Sequence, residues 1–169
     1  MGIHPRFINE ENLESDWNAL QFYSRQPNVL AIGECGLDRL CDTSFPLQEK
    51  VFVKQIRWAN EIAKPLIIHC VKAFPETLRI LKSCSNGMPV VFHGFNNNKE
   101  TADQLLREGY YLSFGKSLLQ PNMETLFNHI PLNRIFLEND DSDIAISSIY
   151  EQAARIKQMS VETMAKEMK

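Results

Sequence analysis

Several features that mark specialised protein classes are missing from this sequence of 169 residues. The amino terminus, MGIHPRFINEEN, has no signal-peptide core, and no apolar run reaches the roughly 20 residues that span a bilayer. The four cysteines, Cys35, Cys41, Cys70 and Cys84, lack zinc-finger or redox-pair spacing, which indicates reduced thiols rather than a disulfide framework. We therefore expect a cytoplasmic protein without a membrane segment.

An excess of positive charge is also missing. The formal net charge is -3 and the isoelectric point is about 5.8, which excludes a broad electrostatic grip on nucleic acid. A nucleic-acid substrate would therefore be held by local contacts. No low-complexity segment or shift in composition divides the chain, so we expect residues 1–169 to form a single domain. This length is short of the roughly 250 residues of a complete eight-stranded α/β barrel.

Strand-like and helix-like patterns alternate along the whole chain, and this alternation predicts an α/β fold with a parallel sheet. Because crossover connections are right-handed, consecutive strands are expected side by side, curling toward a barrel. The pattern alone does not separate a barrel from an open sheet. The predicted strands, after an amino-terminal stub at residues 2–5, are residues 29–32, 66–69, 89–93, 110–114 and 135–137.

Residues of metal-ligand type stand at the ends of four apolar runs. Glu34 follows LAIG, His69 ends LIIH, His93 ends VVFH, and Asp140 follows RIFLEN. Because the carboxyl ends of parallel strands meet on one face, we expect these side chains to converge on one pocket. Imidazole and carboxylate together suit Zn²⁺ or Mn²⁺ better than Mg²⁺, and all three ions remain candidates.

Residues near these candidates receive other interpretations. If Glu34 and His69 point toward the site, strand alternation directs Cys35 and Cys70 at the helix layer, where they are core residues rather than ligands. Asp38 lies four residues beyond Glu34, and two roles remain open for it: it orients a ligand, or it is simply solvated.

The remaining candidates are assigned to folding. His129 has no partner in view and is interpreted as structural, and Asp141 and Asp143 are expected to cap the following helix. Three phenylalanines near the strand ends could stack a nucleic-acid base, but core packing is the preferred interpretation. These phenylalanines are Phe92, Phe95 and Phe114.

Five ordered segments carry a family resemblance: GIHP at 2–5, IGECGLD at 32–38, IIHC at 67–70, VVFHGF at 90–95 and LEND at 137–140. The set resembles the motifs of the TatD-related metal-dependent deoxyribonucleases over essentially the whole chain. The resemblance implies a TIM-barrel-like (β/α) hydrolase fold with parallel strands. It also implies divalent metal ions, one or two per chain, and hydrolysis of phosphodiester bonds in DNA or a small substrate.

The same resemblance implies roles for single residues. Glu34 would bridge two metals, and His69 and His93 would bind one of them. Asp140 would serve the other metal and its attacking water, which makes Glu34 and Asp140 the expected catalytic residues. His4 matches a family histidine near the substrate phosphate.

The chain departs from the family pattern in three places. No His-x-His pair precedes the stub, so we expect a barrel incomplete at its amino terminus, one tightly held ion, and a homodimer that covers the exposed edge. The family usually has an arginine two positions beyond His69, and this sequence has Val71 there. Lys72 beside it is then the expected substrate contact, with a single point charge instead of a two-pronged guanidinium. Where the family usually has Glu-Thr-Asp, this sequence has Glu138, Asn139 and Asp140, which keeps both carboxylates and replaces the hydroxyl by an amide.

Two functions remain open from the sequence. The first is a metal-dependent hydrolase of phosphodiesters, a TatD-type deoxyribonuclease acting on DNA ends. The second is a non-catalytic or incomplete homologue that retains the fold and one metal site. The missing His-x-His pair is the feature that separates them.

Overall fold

A computed structural model describes residues 1–140 and 142–168, in two compact units, Met1–His93 and Gly94–Lys169. The predicted cap role of Asp141 lies outside the described residues. Among the described residues, no helix combines the length and apolarity needed to cross a membrane. The expectation of a single domain stays a prediction.

The first unit alternates strands and helices. Strand β1 pairs in parallel with β2, with Gly36 opposite His69, and β2 pairs in parallel with β3, with Ile68 opposite Phe92. Helix α2 packs against β1. The elements are α1 (Leu13–Ser24), β1 (Ile32–Asp38), α2 (Phe45–Glu61), β2 (Leu66–Val71), α3 (Phe74–Ser83) and β3 (Val90–Phe92).

The first strand differs from its prediction. The predicted strand covers residues 29–32, but strand β1 begins at Ile32 and continues to Asp38, and Leu30 is 79% exposed. Glu34 therefore lies inside the strand rather than at its end. The pairing with β2 is irregular between Ile32 and Cys35, so Gly33 and Glu34 fall outside the regular ladder. This irregularity presents the carboxylate from mid-strand.

The amino-terminal stub also differs from its prediction. Met1 makes two backbone hydrogen bonds in the pattern of a parallel strand pair. Its nitrogen donates to Ala31 O (3.2 Å), just before β1, and its carbonyl oxygen accepts from Gly33 N (2.9 Å) within β1. The chain then turns into a short 3₁₀ helix, Pro5–Phe7, instead of continuing as a strand. Proline suits this first helical position because its fixed φ is already helical.

The second unit repeats the strand and helix alternation. Strand β4 pairs in parallel with β5, with Leu112 opposite Ile135. Two side chains cap helices in this unit: Asn98 accepts from Thr101 N (2.9 Å), and Ser160 accepts from Thr163 N (3.1 Å). The elements are α4 (Lys99–Arg107), β4 (Tyr111–Phe114), α5 (Glu124–His129), β5 (Ile135–Leu137), α6 (Ile146–Lys157) and α7 (Val161–Glu167).

One prediction in this unit is wrong: helix α6 begins after Ala145, so Asp143 is not its cap. His129, interpreted as structural without a visible partner, does have one, because its Nε2 lies 2.7 Å from Asp103 Oδ1 on α4. A contact between two helices fits the structural interpretation. The aromatic prediction is confirmed: the phenylalanines assigned to core packing are at most 2% exposed. They are Phe92, in the first unit, with Phe95 and Phe114 in the second.

The two cysteines predicted to be core residues differ in burial. Cys35 is fully buried, whereas Cys70 is of intermediate exposure, with its Sγ 3.4 Å from Thr77 Oγ1 on α3. Burial raises the pKa of Cys35 to about 12 and that of Cys70 to about 11. Neither thiol therefore forms an appreciable thiolate at neutral pH.

These two thiols are expected to resist alkylation in the native protein. The thiolate is the attacking species, so raised pKa values and burial both slow the reaction with iodoacetamide at pH 8. Peptide mapping by mass spectrometry should find Cys35 and Cys70 unmodified in native protein and modified after unfolding. Rapid labelling of native Cys35 would contradict its placement in the core.

Candidate metal site

Glu34 is the centre of the candidate site in the first unit. Its Oε2 lies 3.8 Å from His69 Nδ1 and 3.8 Å from His4 Nε2. Its other oxygen, Oε1, lies 3.7 Å from His93 Nε2. The structure thus brings together three predicted ligands from β1, β2 and the end of β3, and adds His4 from the stub.

These residues fit a divalent ion. The separations of 3.7–3.8 Å are too long for hydrogen bonds. Two ligands about 2.1 Å from one ion in tetrahedral geometry lie about 3.4 Å apart, so small side-chain rotations would suffice. Candidate ligand atoms of His4, Glu34 and His69 all lie within 4.8 Å of one another. The side chains are 16–29% exposed, so a ligand can reach them.

Asp38 orients one of these imidazoles. Its side chain is fully buried, which excludes simple solvation, and its Oδ2 lies 3.1 Å from His69 Nε2. Burial would raise the pKa of Asp38, but hydrogen bonds from Leu40 N, His69 and Arg6 outweigh it and lower that pKa. The ionised carboxylate favours the His69 tautomer with its proton on Nε2. The lone pair of His69 Nδ1 then faces Glu34.

His4 is arranged differently from His69. Its Nδ1 accepts a hydrogen bond from Arg6 N (3.1 Å), so the proton of the neutral ring lies on Nε2. Burial, followed by the neighbouring His69, lowers the pKa of His4 and favours the neutral form. Although His4 is within ligand distance, this tautomer presents an N–H toward Glu34. His4 is therefore arranged as a hydrogen-bond donor.

The Glu34 carboxyl is held in its charged form. The His69 side chain is the largest influence that lowers its pKa, and His93 and His4 add to it, against a desolvation that would raise it. A charged carboxylate is the form of this ligand that a divalent ion requires.

Two glutamines on α2 position this site and were missed in the sequence. Gln55 is fully buried and clamps Ile3, accepting from Ile3 N (2.7 Å) and donating to Ile3 O (3.0 Å). Gln48 does the same for Asp38, accepting from its N (2.7 Å) and donating to its O (3.0 Å). Their signal was present, because both stand on the helix stripe of buried Val51, Phe52 and Ala59.

For two predicted site residues, Asp140 and Lys72, we describe only the position in the chain and the backbone conformation. Asp140 lies in the second unit, three residues after the end of β5, with φ at 46°. Lys72 directly follows β2, is exposed, and has φ at 51°. The roles of Asp140 and Lys72 therefore stay predictions.

A cavity of about 490 Å³ between α2 and α3 is separate from this chemistry. Its carboxylate, Glu49, pairs with Arg79 at 2.5 Å, and none of the residues around Glu34 lines it. Its lining is mostly basic and aliphatic: Pro46, Glu49, Lys50, Val53, Lys54, Arg57, Arg79, Ile80 and Ser83. We assign it no part in the candidate reaction.

Comparisons with known proteins show what the chain is similar to. The chain is 32% identical over 145 residues to the 3'-5' ssDNA/RNA exonuclease TatD of Edwardsiella piscicida, covering 82% of this chain and 55% of the relative. It is 30% identical over 186 residues to an uncharacterised metal-dependent hydrolase, YcfH, of Escherichia coli K12, covering 97% and 68%. The chain thus spans about half the length of the first of these relatives.

A solved structure agrees on the fold. The hydrolase TatD family protein from Entamoeba histolytica superposes with a TM-score of 0.86 at 21% identity, covering 99% of this chain and 70% of that one. This likeness confirms the predicted TIM-barrel-like α/β fold class. The family model described as TatD related DNase matches residues 1–169. The chain therefore belongs to the TatD-related DNase family.

Proposed function

We propose that the protein is a divalent-metal-dependent phosphodiesterase that removes nucleotides from ends of nucleic acid. The observation that carries the proposal is the Glu34 carboxylate with imidazoles on both of its oxygens, at 3.7–3.8 Å. Family membership supports a metal-dependent hydrolase, and the Edwardsiella relative, named a 3'-5' ssDNA/RNA exonuclease, supports a nucleic-acid substrate.

In this proposal the first unit supplies most of the ion's ligands. One carboxylate oxygen of Glu34 faces His69 and the other faces His93. Asp140 is proposed to bind metal and water, as the family resemblance implies. A bound divalent ion would neutralise phosphate charge and lower the pKa of its water from about 15.7 toward 7. Zn²⁺, Mn²⁺ and Mg²⁺ all remain candidates.

Two residues are proposed to hold the substrate. His4 directs its Nε2–H toward the cluster, where a phosphate oxygen would accept it. Lys72, exposed after β2, would add a point charge to a neighbouring phosphate. The expected result is local recognition of a few phosphates rather than a long electrostatic footprint.

Metal-dependent turnover tests the function. Protein freed of metal by a chelator should not hydrolyse end-labelled single-stranded DNA, RNA or bis(p-nitrophenyl) phosphate, and Mn²⁺, Zn²⁺ or Mg²⁺ should restore hydrolysis. The matched control is Glu61→Gln, which removes an exposed carboxylate paired with Arg25, and it should leave the activity unchanged. Metal binding without turnover of any substrate would overturn the proposal in favour of a non-catalytic homologue.

A homodimer and a cytoplasmic location remain further proposals. Light scattering across a range of protein concentrations tests the first. Fractionation of cells tests the second.

A further inference from the structure

Phe7 is an exposed aromatic side chain directly beside the candidate site. The residue is 75% exposed, although burying a phenylalanine side chain would stabilise the fold. Its ring centroid lies 5.4 Å from that of His4, at an interplanar angle of 44°. The ring therefore offers an open surface next to a residue that faces Glu34.

The backbone holds this ring in a defined place. Phe7 ends the 3₁₀ helix that begins at Pro5, and its N–H donates to His4 O (3.0 Å). Pro5 is buried, and the preceding Ile3 is clamped by Gln55 of α2. A ring on a fixed turn loses little conformational freedom when a ligand stacks on it.

The groups around the ring fit the other parts of a nucleotide. His4 directs its Nε2–H toward Glu34, within reach of a phosphate held at the cluster. Arg6 directly precedes Phe7, its side chain is 57% exposed, and it donates to Asp38 Oδ2 (3.2 Å). An aromatic face, an N–H donor and a cation thus lie within the four residues 4–7.

We propose that Phe7 forms a stacking subsite for the unpaired base next to the phosphate that is hydrolysed. This inference rests on the proposed function and deepens it, because it assigns one residue of this chain to the base beside the reacting phosphate. A base within a duplex has both faces covered by its neighbours, whereas an unpaired end can place one face on Phe7. The subsite tolerates any base, since every base has a π face.

Equilibrium binding tests this subsite independently of turnover. A fluorescent single-stranded phosphorothioate oligonucleotide, resistant to hydrolysis, is titrated with the wild type, Phe7→Ala and Phe7→Trp. Stacking of one base predicts roughly tenfold weaker binding for Phe7→Ala and recovery for Phe7→Trp. The control is Phe22→Ala, which removes another exposed ring, 65% exposed and packed on Tyr23 of α1, and it should bind as the wild type does.

A matched ligand isolates the base itself. The same oligonucleotide with abasic terminal residues should bind the wild type as weakly as the normal one binds Phe7→Ala, and the variant should not distinguish the two. Equal binding of both oligonucleotides by the wild type would overturn the subsite. So would a change in oligomeric state of Phe7→Ala, since the ring would then be covered by a second chain.

Hydrolysis of bis(p-nitrophenyl) phosphate separates this inference from the proposed function. If the wild type hydrolyses it with added metal and Phe7→Ala binds DNA normally, the subsite is wrong and the phosphodiesterase stands. If the wild type hydrolyses nothing but Phe7→Ala loses binding, the subsite stands on a nucleic-acid-binding protein that lacks turnover.

Discussion

Replacing Glu34 by glutamine is expected to reduce kcat/KM for phosphodiester hydrolysis roughly a thousandfold or more, which is about 4 kcal/mol of transition-state stabilisation. One carboxylate oxygen faces His69 and His4, and the other faces His93, so this one substitution weakens the pairing of Glu34 with each of the three histidines. An amide keeps the shape but lacks the charge that a divalent ion requires. Steady-state kinetics with saturating Mn²⁺ checks this result.

The control for Glu34→Gln is the surface variant Glu61→Gln, which should retain activity. The free energy of unfolding should change little in either variant, because the Glu34 side chain is 29% exposed and serves the site rather than the core. Activity of Glu34→Gln within tenfold of the wild type would show that this carboxylate does not hold the ion.

Replacing Asp38 by asparagine is expected to weaken metal affinity by about 10–100-fold. The buried carboxylate accepts from Leu40 N (2.8 Å) and lies 3.1 Å from His69 Nε2, which directs the lone pair of His69 Nδ1 at the site. A neutral amide no longer favours that tautomer. Titration calorimetry with Zn²⁺ or Mn²⁺ measures the change.

Asp42→Asn is the matched control for Asp38→Asn, because Asp42 is an exposed acid in the following loop. The Asp38 variant should also lose about 1–3 kcal/mol of stability, since a buried acceptor is replaced among fixed donors. Unchanged metal affinity together with this loss of stability would make Asp38 a folding residue and remove it from the site.

Part of this site could be predicted from the sequence because parallel strands repeat one geometry. His69 and His93 stand at or just after the ends of apolar runs, and the carboxyl ends of neighbouring parallel strands necessarily lie close together. The prediction of Glu34 rests on a partly wrong strand. The predicted strand includes the exposed Leu30, whereas β1 runs forward to Asp38 through an irregularity that a pattern of period two cannot show.

The supporting residues could not be predicted in the same way. Period-two alternation tells which face Asp38 occupies, but not that its side chain is fully buried. Gln48 and Gln55 stand on the buried stripe of helix α2, which indicates burial but names no partner, and only the fold brings them to Asp38 and Ile3. The pair between Asp103 and His129 likewise joins residues 26 positions apart.

The most direct measurement of the central claim is anomalous diffraction from crystals soaked with Mn²⁺ or Zn²⁺. We expect a peak about 2.0–2.6 Å from a Glu34 oxygen and from His69 Nδ1 or His93 Nε2, and no such peak in Glu34→Gln crystals. A peak at a different place, or an unchanged peak in the variant, would contradict the assignment of these residues to a metal site.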